Sequence, residues 1–432
     1  DQMDMLTKFS GGETPKLNKL GGDEFQKIKE KAKGRTCEPP LPDDAPEVTL
    51  LIAAYNEEAI VDEKMANCRA LDYPAGKLRI TWVTDGSDDG TVDALSRYPD
   101  ATVLHSPQRR GKTEAINRAM TFVTTPYVVF TDANTMLNTA AITEIIRPFG
   151  HPDVGCVSGE KRIVQKKEQS AEYTEGVYWK YESKLKELDY RLYSAVGAAG
   201  ELFAIRTGLF RPMPQDTLLD DFTLSMEIAS HGYRIAYCKD SFAVEEASAG
   251  MDQEEKRKVR ISAGGLQAVW RLRGMLNVFR YGVLGWQYIS HRVLRWTITP
   301  VALFLLLPVN IALSAAGAGA IYDMTLVLQC LFYAFALCGY AMARRKVRSR
   351  IFFIPYYFLF MNVNVIKGIP YLKDRTLGYF LMRRFGKTVR LARKREPEFR
   401  TFAFYRINAY RAAELLHNIA ANGQSESCAL YK

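Results

Sequence analysis

Histidine is scarce and cysteine is scattered. The five histidines, at 105, 151, 231, 291 and 417, show no H-E-x-x-H or similar spacing, which argues against zinc catalysis. The seven cysteines (37, 68, 156, 238, 330, 338 and 428) are odd in number and form no C-x-x-C pair. Neither a disulfide framework nor a zinc cluster is indicated, and a reducing, cytosol-facing location fits. No repeat with a period of roughly 20 to 50 residues runs through the chain, which excludes solenoids and propellers. Acidic residues are missing between Lys256 and Arg295, and charge of either sign is missing from Trp296 to Tyr322 and from Met324 to Met342.

The remaining composition is that of a folded chain of two to three units, with 432 residues, 47% hydrophobic and 25% charged, and a net charge of +10. The two charge-free runs meet or nearly meet the roughly 20-residue span of a bilayer core and read as transmembrane helices. A third apolar stretch, Ile351 to Tyr371, contains Pro355, Asn362, Asn364, Lys367 and Pro370, which are costly in lipid unless shielded by protein. It is compatible with a span, a re-entrant segment or an interfacial helix. The acid-free segment carries nine Lys or Arg interleaved with Trp270, Phe279, Tyr281, Trp286 and Tyr288. Because it abuts a transmembrane run, an anionic membrane surface is the expected partner and nucleic acid is not.

The basic stretch Arg344 to Arg350 places its loop in the cytoplasm by the positive-inside rule, which leaves Tyr322 and Asp323 outside and the soluble half inside. A third full span would put the basic tail Arg383 to Arg400 outside, against the same rule. Residues 1–46 read as a flexible lead-in with a helical candidate at Asp23 to Lys33. An opening at Asp1 instead of Met predicts an upstream segment.

In the soluble half, Val48 to Ala53 ends at Ala54-Tyr55-Asn56-Glu57, Leu78 to Val83 ends at Thr84-Asp85-Gly86-Ser87, and Val128 to Phe130 precedes Thr131-Asp132-Ala133-Asn134. Apolar strands alternating with helical stretches such as Lys112 to Phe122 and Ala140 to Phe149 predict a parallel sheet in a doubly wound α/β domain. Its ligand crevice lies at the carboxyl ends of the strands. The GKT at 111–113 is not a Walker A loop, since Ser106 stands where the first glycine belongs.

These strand ends, with GKTEAIN at 111–117, GAAGELFAIR at 197–206 and LDDFTL at 219–224, resemble the family 2 glycosyltransferases. The resemblance covers roughly Val48 to Gly265 and points to the membrane-embedded group that includes hyaluronan, cellulose, chitin and poly-N-acetylglucosamine synthases. It implies a GT-A (Rossmann-like) cytosolic domain at 47–255, interfacial amphipathic helices at 256–295, a transmembrane region of two or three helices at 296–371 and a basic tail at 372–432. It also implies a plasma (inner) membrane location, multi-pass, with the catalytic domain cytoplasmic.

By the same resemblance, Tyr55 offers an aromatic face to uracil, Glu57 and Asp85 accept hydrogen bonds from uracil or ribose, and Lys112 meets the diphosphate. Asp132 stands in a D-x-D position for Mg²⁺ or Mn²⁺, with Asn134 replacing the second carboxylate by a carbonyl. Gly197, Ala198, Ala199, Gly200 and Asp220 frame the donor and acceptor pocket. Asp221 takes the place of the base that deprotonates an acceptor hydroxyl during inverting transfer. Arg257-Lys258-Val259-Arg260-Ile261 aligns with Q-x-x-R-W: Arg260 keeps the diphosphate contact, Arg257 replaces Gln, and Ile261 replaces the Trp on which an acceptor sugar stacks. That last change argues for short or single-sugar addition.

Plainer roles stand beside these. Asp85-Gly86-Ser87 also suits an ordinary turn, Asn134-Thr135 a turn, Asp220 and Asp221 an N-cap pair, and Arg257 with Arg260 a lipid-facing cationic run. The expected partners are a UDP-sugar donor, a glycan or lipid-linked acceptor and membrane lipid, with an upstream segment or a second membrane subunit needed for any enclosed product channel. A transferase charging a polyisoprenyl phosphate is the alternative, and a non-catalytic basic scaffold or nucleic-acid-binding protein is the alternative of another class.

Overall fold

The computed structural model describes residues 40–41, 44–164, 170–246, 251–345 and 350–394. The helical candidate at 23–33 and most of the basic tail lie outside the described residues. The apolar runs form strands β1 (Val48–Ala54), β2 (Leu78–Asp85), β3 (Ala101–Ser106) and β4 (Tyr127–Asp132), ordered β3-β2-β1-β4 and all parallel. Val48 faces Leu78 on one side and Tyr127 on the other. Near-complete burial of β1 fits a strand covered on both faces. The covering helices on this half are α1 (Val61–Arg69), α2 (Thr91–Ser96) and α3 (Lys112–Met120).

Beyond β4 the expectation of a parallel sheet is corrected. Strands β5 (Met136–Leu137), β6 (Val154–Val164), β7 (Leu202–Arg206) and β8 (Arg234–Glu246) continue the order as β4-β7-β6-β8-β5. β7 is antiparallel to both β4 and β6, β6 and β8 are parallel, and β8 and β5 are antiparallel. The physical reason is that β7 enters the sheet where β4 leaves it, with Leu202 opposite Thr131. That reversal brings the loop at 197–200 beside Asp132. The remaining helices of the domain are α4 (Ala141–Ile146), α5 (Ser170–Leu192) and α6 (Asp220–Ser230). The helix expected to reach Phe149 tightens instead into a 3₁₀ turn, Arg147–Gly150, with Pro148 near its start.

Helix α7 (Met251–Arg271) runs unbroken through the domain boundary expected at residue 255. It buries Glu254, Lys258, Ala263 and Ala268, the last in the core of the sheet domain, and leaves Arg260 and Trp270 outward. Helix α8 (Val278–Tyr288) follows, capped by the Asn277 side chain, which accepts from the Phe279 and Arg280 amides. A π-helical turn, Ile289–Val293, and a short helix, Leu294–Trp296, lead to α9 (Ile298–Ala315), α10 (Ala320–Arg344) and α11 (Arg350–Lys394). Three segments, Ile298–Ala315, Ala320–Ala343 and Ile351–Lys373, are long and apolar enough to cross a membrane. α9 and α10 form a hairpin joined by polar contacts, including Asn310 with Thr325 at 3.2 Å and the Tyr333 hydroxyl donating to the Leu303 carbonyl at 3.0 Å, the kind of link that holds helices together in lipid. The chain divides into two compact units, residues 1–372 and 373–432; among described residues the second contains the last part of α11.

Candidate active site

The loops after β1 and β2 are tied together. Asn56, with φ of 55°, donates from its side-chain amide to Asp88 at 2.5 Å, and the Glu57 amide donates to Thr91 Oγ1 at 2.8 Å. The Asp85 carboxylate is buried and accepts from the backbone amides of Arg110 (2.9 Å) and Gly111 (2.6 Å). It thereby fixes the loop that launches α3 and sets Lys112 at the helix start. The Arg109 guanidinium lies 3.7 Å from the centre of the Tyr55 ring, so one face of that ring already carries a cation.

Lys112 bridges the cleft. Its Nζ donates to Asp132 Oδ1 at 2.6 Å and stands 3.7 Å from Asp220 Oδ2, with the side chain 41% exposed. Partial burial pulls its pKa down, but Asp132, Asp220 and Asp221 outweigh that and hold the ammonium above the ordinary lysine range. Beneath the same loop, the buried Lys64 donates to Thr131 Oγ1 at 3.3 Å and to the Thr135 carbonyl at 2.5 Å. Burial lowers it to about 8, against the Cys68 thiol and the Asp132 carboxylate. Burial, then Asp132 and Asp89, hold the Glu57 carboxyl above the usual range.

Among the described residues no group of three or more His, Cys, Asp or Glu is arranged to hold a metal. Asp132 nonetheless keeps its second oxygen without a hydrogen-bond partner among described residues, and the Asn134 side chain is exposed beside it. One carboxylate and one carbonyl are hard oxygen donors that suit Mg²⁺ or Mn²⁺ when phosphate oxygens complete the shell.

Asp221 lies in the first turn of α6. The N-cap is Leu219, with no side-chain cap hydrogen bond, so the two aspartates are not a capping pair. A Cβ on Gly200 would fall 3.0 Å from Asp221 Oδ2, and one on Gly197, where φ is +90°, would collide with the Phe222 ring. Glycine is therefore required at Gly197 for the loop to close over α6, and Gly200 leaves the Asp221 carboxylate close room. Ser225 Oγ accepts from the Ala198 amide and Ser158 Oγ from the Ala199 amide, which pins the loop. Burial and, after it, the neighbouring Asp220 push the Asp221 carboxyl up to about 7, against the Phe222 amide and Lys112.

The structure thus brings together Lys112, Asp132, Gly200 and Asp220 around one cleft, with Asp221 against Gly200. Arg257 faces the residue after Gly200: its guanidinium lies 3.7 Å from Glu201 Oε1. Arg260 is exposed and has no partner among the described residues, and Ile261 is half-buried. Sequence reasoning passed over Glu201, which sits inside the quoted GAAGELFAIR stretch and pairs with Lys161 at 2.5 Å. Burial pushes Glu201 up, but Lys161 and Arg257 outweigh it and hold it at about 2. Glu182 on α5 was missed as well; it takes Arg292 at 2.7 Å and Arg295 at 3.0 Å from the segment leading into α9. An acid one residue after Gly200, opening an otherwise apolar strand, was the available signal for Glu201. Glu182 had none, because its partners lie more than a hundred residues away.

A family model described as glycosyltransferase like family 2 matches residues 45–264. The poly-beta-1,6-N-acetyl-D-glucosamine synthase of Staphylococcus aureus (strain COL) is 27% identical over 249 residues, 53% of this chain and 57% of that protein. The synthase of the same name from Staphylococcus epidermidis is 26% identical over 244 residues, 52% of this chain and 56% of that protein. The matches thus span little more than half the length of these relatives. Among solved structures, the mannosyltransferase PcManGT from Pyrobaculum calidifontis, in complex with GDP-Man and Mn²⁺, superposes with a TM-score of 0.59 at 23% identity, covering 82% of this chain and 96% of that one. At that identity the likeness shows the shared GT-A fold.

Proposed function

Because this chain belongs to glycosyltransferase family 2 and is a glycosyltransferase related to the polysaccharide synthases, we propose that it transfers a sugar from a UDP-sugar to a hydroxyl of a glycan or glycolipid, with inversion. The observation that carries this reading is the placement of Asp221 against Gly200, at the edge of the cleft that Lys112 spans between Asp132 and Asp220. In this scheme the acceptor oxygen attacks the anomeric carbon as its proton passes to the Asp221 carboxylate, and the bond from that carbon to the diphosphate oxygen breaks on the opposite side. Lys112 and the exposed Arg260 offer cations to the departing diphosphate. A divalent ion held by Asp132 and the Asn134 carbonyl would supply further charge neutralisation.

A carboxylate tuned near neutrality has a use with a hydroxyl acceptor and none with an already ionised phosphate, which favours the glycan reading over the polyisoprenyl phosphate one. Ile261 supports short or single-sugar addition, since an aliphatic side chain offers no aromatic face for a growing chain. Membrane residence is supported by α9 and α10, which are long and apolar enough to span, and the basic stretch 344–350 supports a cytosolic catalytic domain at the plasma membrane.

The test is donor turnover by the purified full chain across a panel of UDP- and GDP-sugars with Mg²⁺ and with Mn²⁺. The expected result is nucleotide release and label transfer with one UDP-sugar. Release from GDP-sugars alone would replace the donor assignment. Long products accumulating from the outset, without short intermediates, would overturn the single-addition reading.

A further inference from the structure

Helix α11 is apolar enough to cross a bilayer, yet its neighbours lie at one end of the membrane region. Its segment Ile351–Lys373 is 39% buried, against 11% for each of the other two candidates. The buried residues Phe353, Tyr357, Asn364 and Gly368, spaced four, seven and four apart, form one stripe along the helix. The first half of α11 meets the cytosolic half of α10, from Phe332, whose ring lies 6.0 Å from that of Phe358, to Tyr340 beside Tyr356. A Cβ on Gly339 would collide with the Phe352 carbonyl, and the Phe335 and Phe352 rings are 5.0 Å apart. The second half meets α7. A Cβ on Gly368 would fall 2.9 Å from the Ala263 amide nitrogen and 3.0 Å from Ser262 Cβ, Lys367 Nζ is 2.5 Å from Glu255 Oε1, and Val365 joins the core of the catalytic domain.

Both partners are cytosolic by the same topology. The end of α10 at Arg344 opens the basic stretch 344–350, and α7 belongs to the catalytic domain, with Gly264 against Leu219 and Gly265 against Trp296 at the foot of α9. From Arg350 to Gly368 a helix advances about 27 Å, nearly the roughly 30 Å of the hydrocarbon core. A crossing helix that left the cytosolic side at Arg350 would carry Gly368 to the far surface, where α7 is out of reach. The Lys367–Glu255 pair, with Lys367 52% exposed, could not form either, since Lys367 would stand at that far surface and Glu255 on the cytosolic side.

We propose that α11 does not cross the membrane. It docks between α10 and α7 along the cytosolic surface, and the described chain crosses twice, through α9 and α10. Its outward residues Ile351, Ile354, Phe358, Ile366 and Ile369 seat among the acyl chains of the cytosolic leaflet. Continuity with the spanning hairpin and the cations flanking the start of α11, which suit anionic headgroups, single out lipid as the occupant. The basic tail then stays on the cytosolic side, and the conflict with the positive-inside rule disappears. The inference rests on α9 and α10 spanning with the catalytic domain in the cytosol.

The test uses the full chain in sealed right-side-out and inside-out vesicles with a membrane-impermeant maleimide. Cys37, Cys330 and Cys338 are replaced by alanine, and the buried Cys68, Cys156 and Cys238 are kept. Reactive sites are supplied one at a time by native Cys428, Phe122→Cys on the catalytic domain, or Ala318→Cys in the α9–α10 turn. Cys428 is expected to label from the same side as Phe122→Cys, and Ala318→Cys from the other. Labelling of Cys428 from the side of Ala318→Cys would make α11 a third span and overturn the proposal. If Ala318→Cys shares the side of Phe122→Cys, the hairpin does not cross and the premise fails, a separate outcome. As a check free of substitutions, trypsin added to sealed inside-out vesicles of the wild type should release peptides beyond Arg383; their protection there would contradict the proposal.

Discussion

Burial and the adjacent Asp220 disfavour the ionised form of Asp221, and the same surroundings set the pH at which it can accept a proton. A base with a pKa raised to about 7 is spent below that value, so kcat/KM should climb through the neutral range and level off above it. Asp221→Asn should lower transfer by about 10²-fold or more while UDP binding persists; near wild-type transfer would end the assignment. The folded-state pKa lies above the unfolded value, so this group opposes folding increasingly as pH rises from about 4 to about 7. The Asn variant should accordingly melt higher than wild type at pH 8 and converge with it in acid. At the neighbouring carboxylate, Asp132→Ala should abolish divalent-dependent UDP affinity and Asn134→Asp should strengthen it, as read by calorimetric titration with and without EDTA. Nucleotide affinity that ignores EDTA in the wild type would leave charge neutralisation to Lys112 and Arg260. At this scale the sequence was informative where a residue stands at the boundary of an element: Asp85 and Asp132 close their strands and Lys112 opens its helix. The partners of Asp85 were not legible. Its carboxylate is engaged by the Arg110 and Gly111 amides, a backbone contact that no pattern of side chains announces.

Strands β1, β2 and β4 and helices α3 and α6 were readable because each buries an unbroken apolar run or opens on a recognisable turn. β6 and β8 were not, since Glu160, Lys161 and Arg162 in one and Lys239 and Asp240 in the other interrupt the apolar signal. These interruptions are structural. Lys161 is buried and ion-paired with both Glu201 and Glu245, and Glu201 also faces Arg257, so one charge network joins β6, β8, the start of β7 and α7. Glu201→Gln should cost stability of about 1–3 kcal/mol, since it removes one of the two carboxylates that pair with the buried Lys161. Because the folded-state pKa of Glu201 is depressed, its contribution is present above the ordinary value of 4.5 and is lost as pH falls towards about 2. Denaturation midpoints of the wild type and the Gln variant should therefore approach each other in acid. A constant gap would assign the loss to packing alone.

Over the whole molecule, the division into a catalytic half and a membrane half was plain from the charge-free runs, whereas the docking of α11 was hidden because composition alone cannot tell a crossing helix from one shielded by protein. The surface between the halves carries Trp270, Phe279 and Trp286 at 71%, 98% and 51% exposure, which suits a headgroup layer. Brominated lipids should quench the tryptophan fluorescence of the reconstituted chain, and Trp270→Phe with Trp286→Phe should remove most of that response; an unchanged response would move this face into water. The foot of α9 is fastened into the catalytic half at three places: Arg292 and Arg295 grip Glu182, Arg292 donates to the Val196 carbonyl at 3.2 Å, and Trp296 packs edge-on against Phe222, next to Asp221. Eighteen residues of α9 measure about 27 Å, so a thicker or thinner bilayer displaces or tilts that foot, and the load is delivered to the ring beside Asp221. Turnover should then peak in phosphatidylcholine whose hydrocarbon thickness matches that length and fall on either side, with substrate affinity for the nucleotide little changed. An enzyme anchored in this way is a gauge of its own membrane, working fastest where the lipid around it has the right depth.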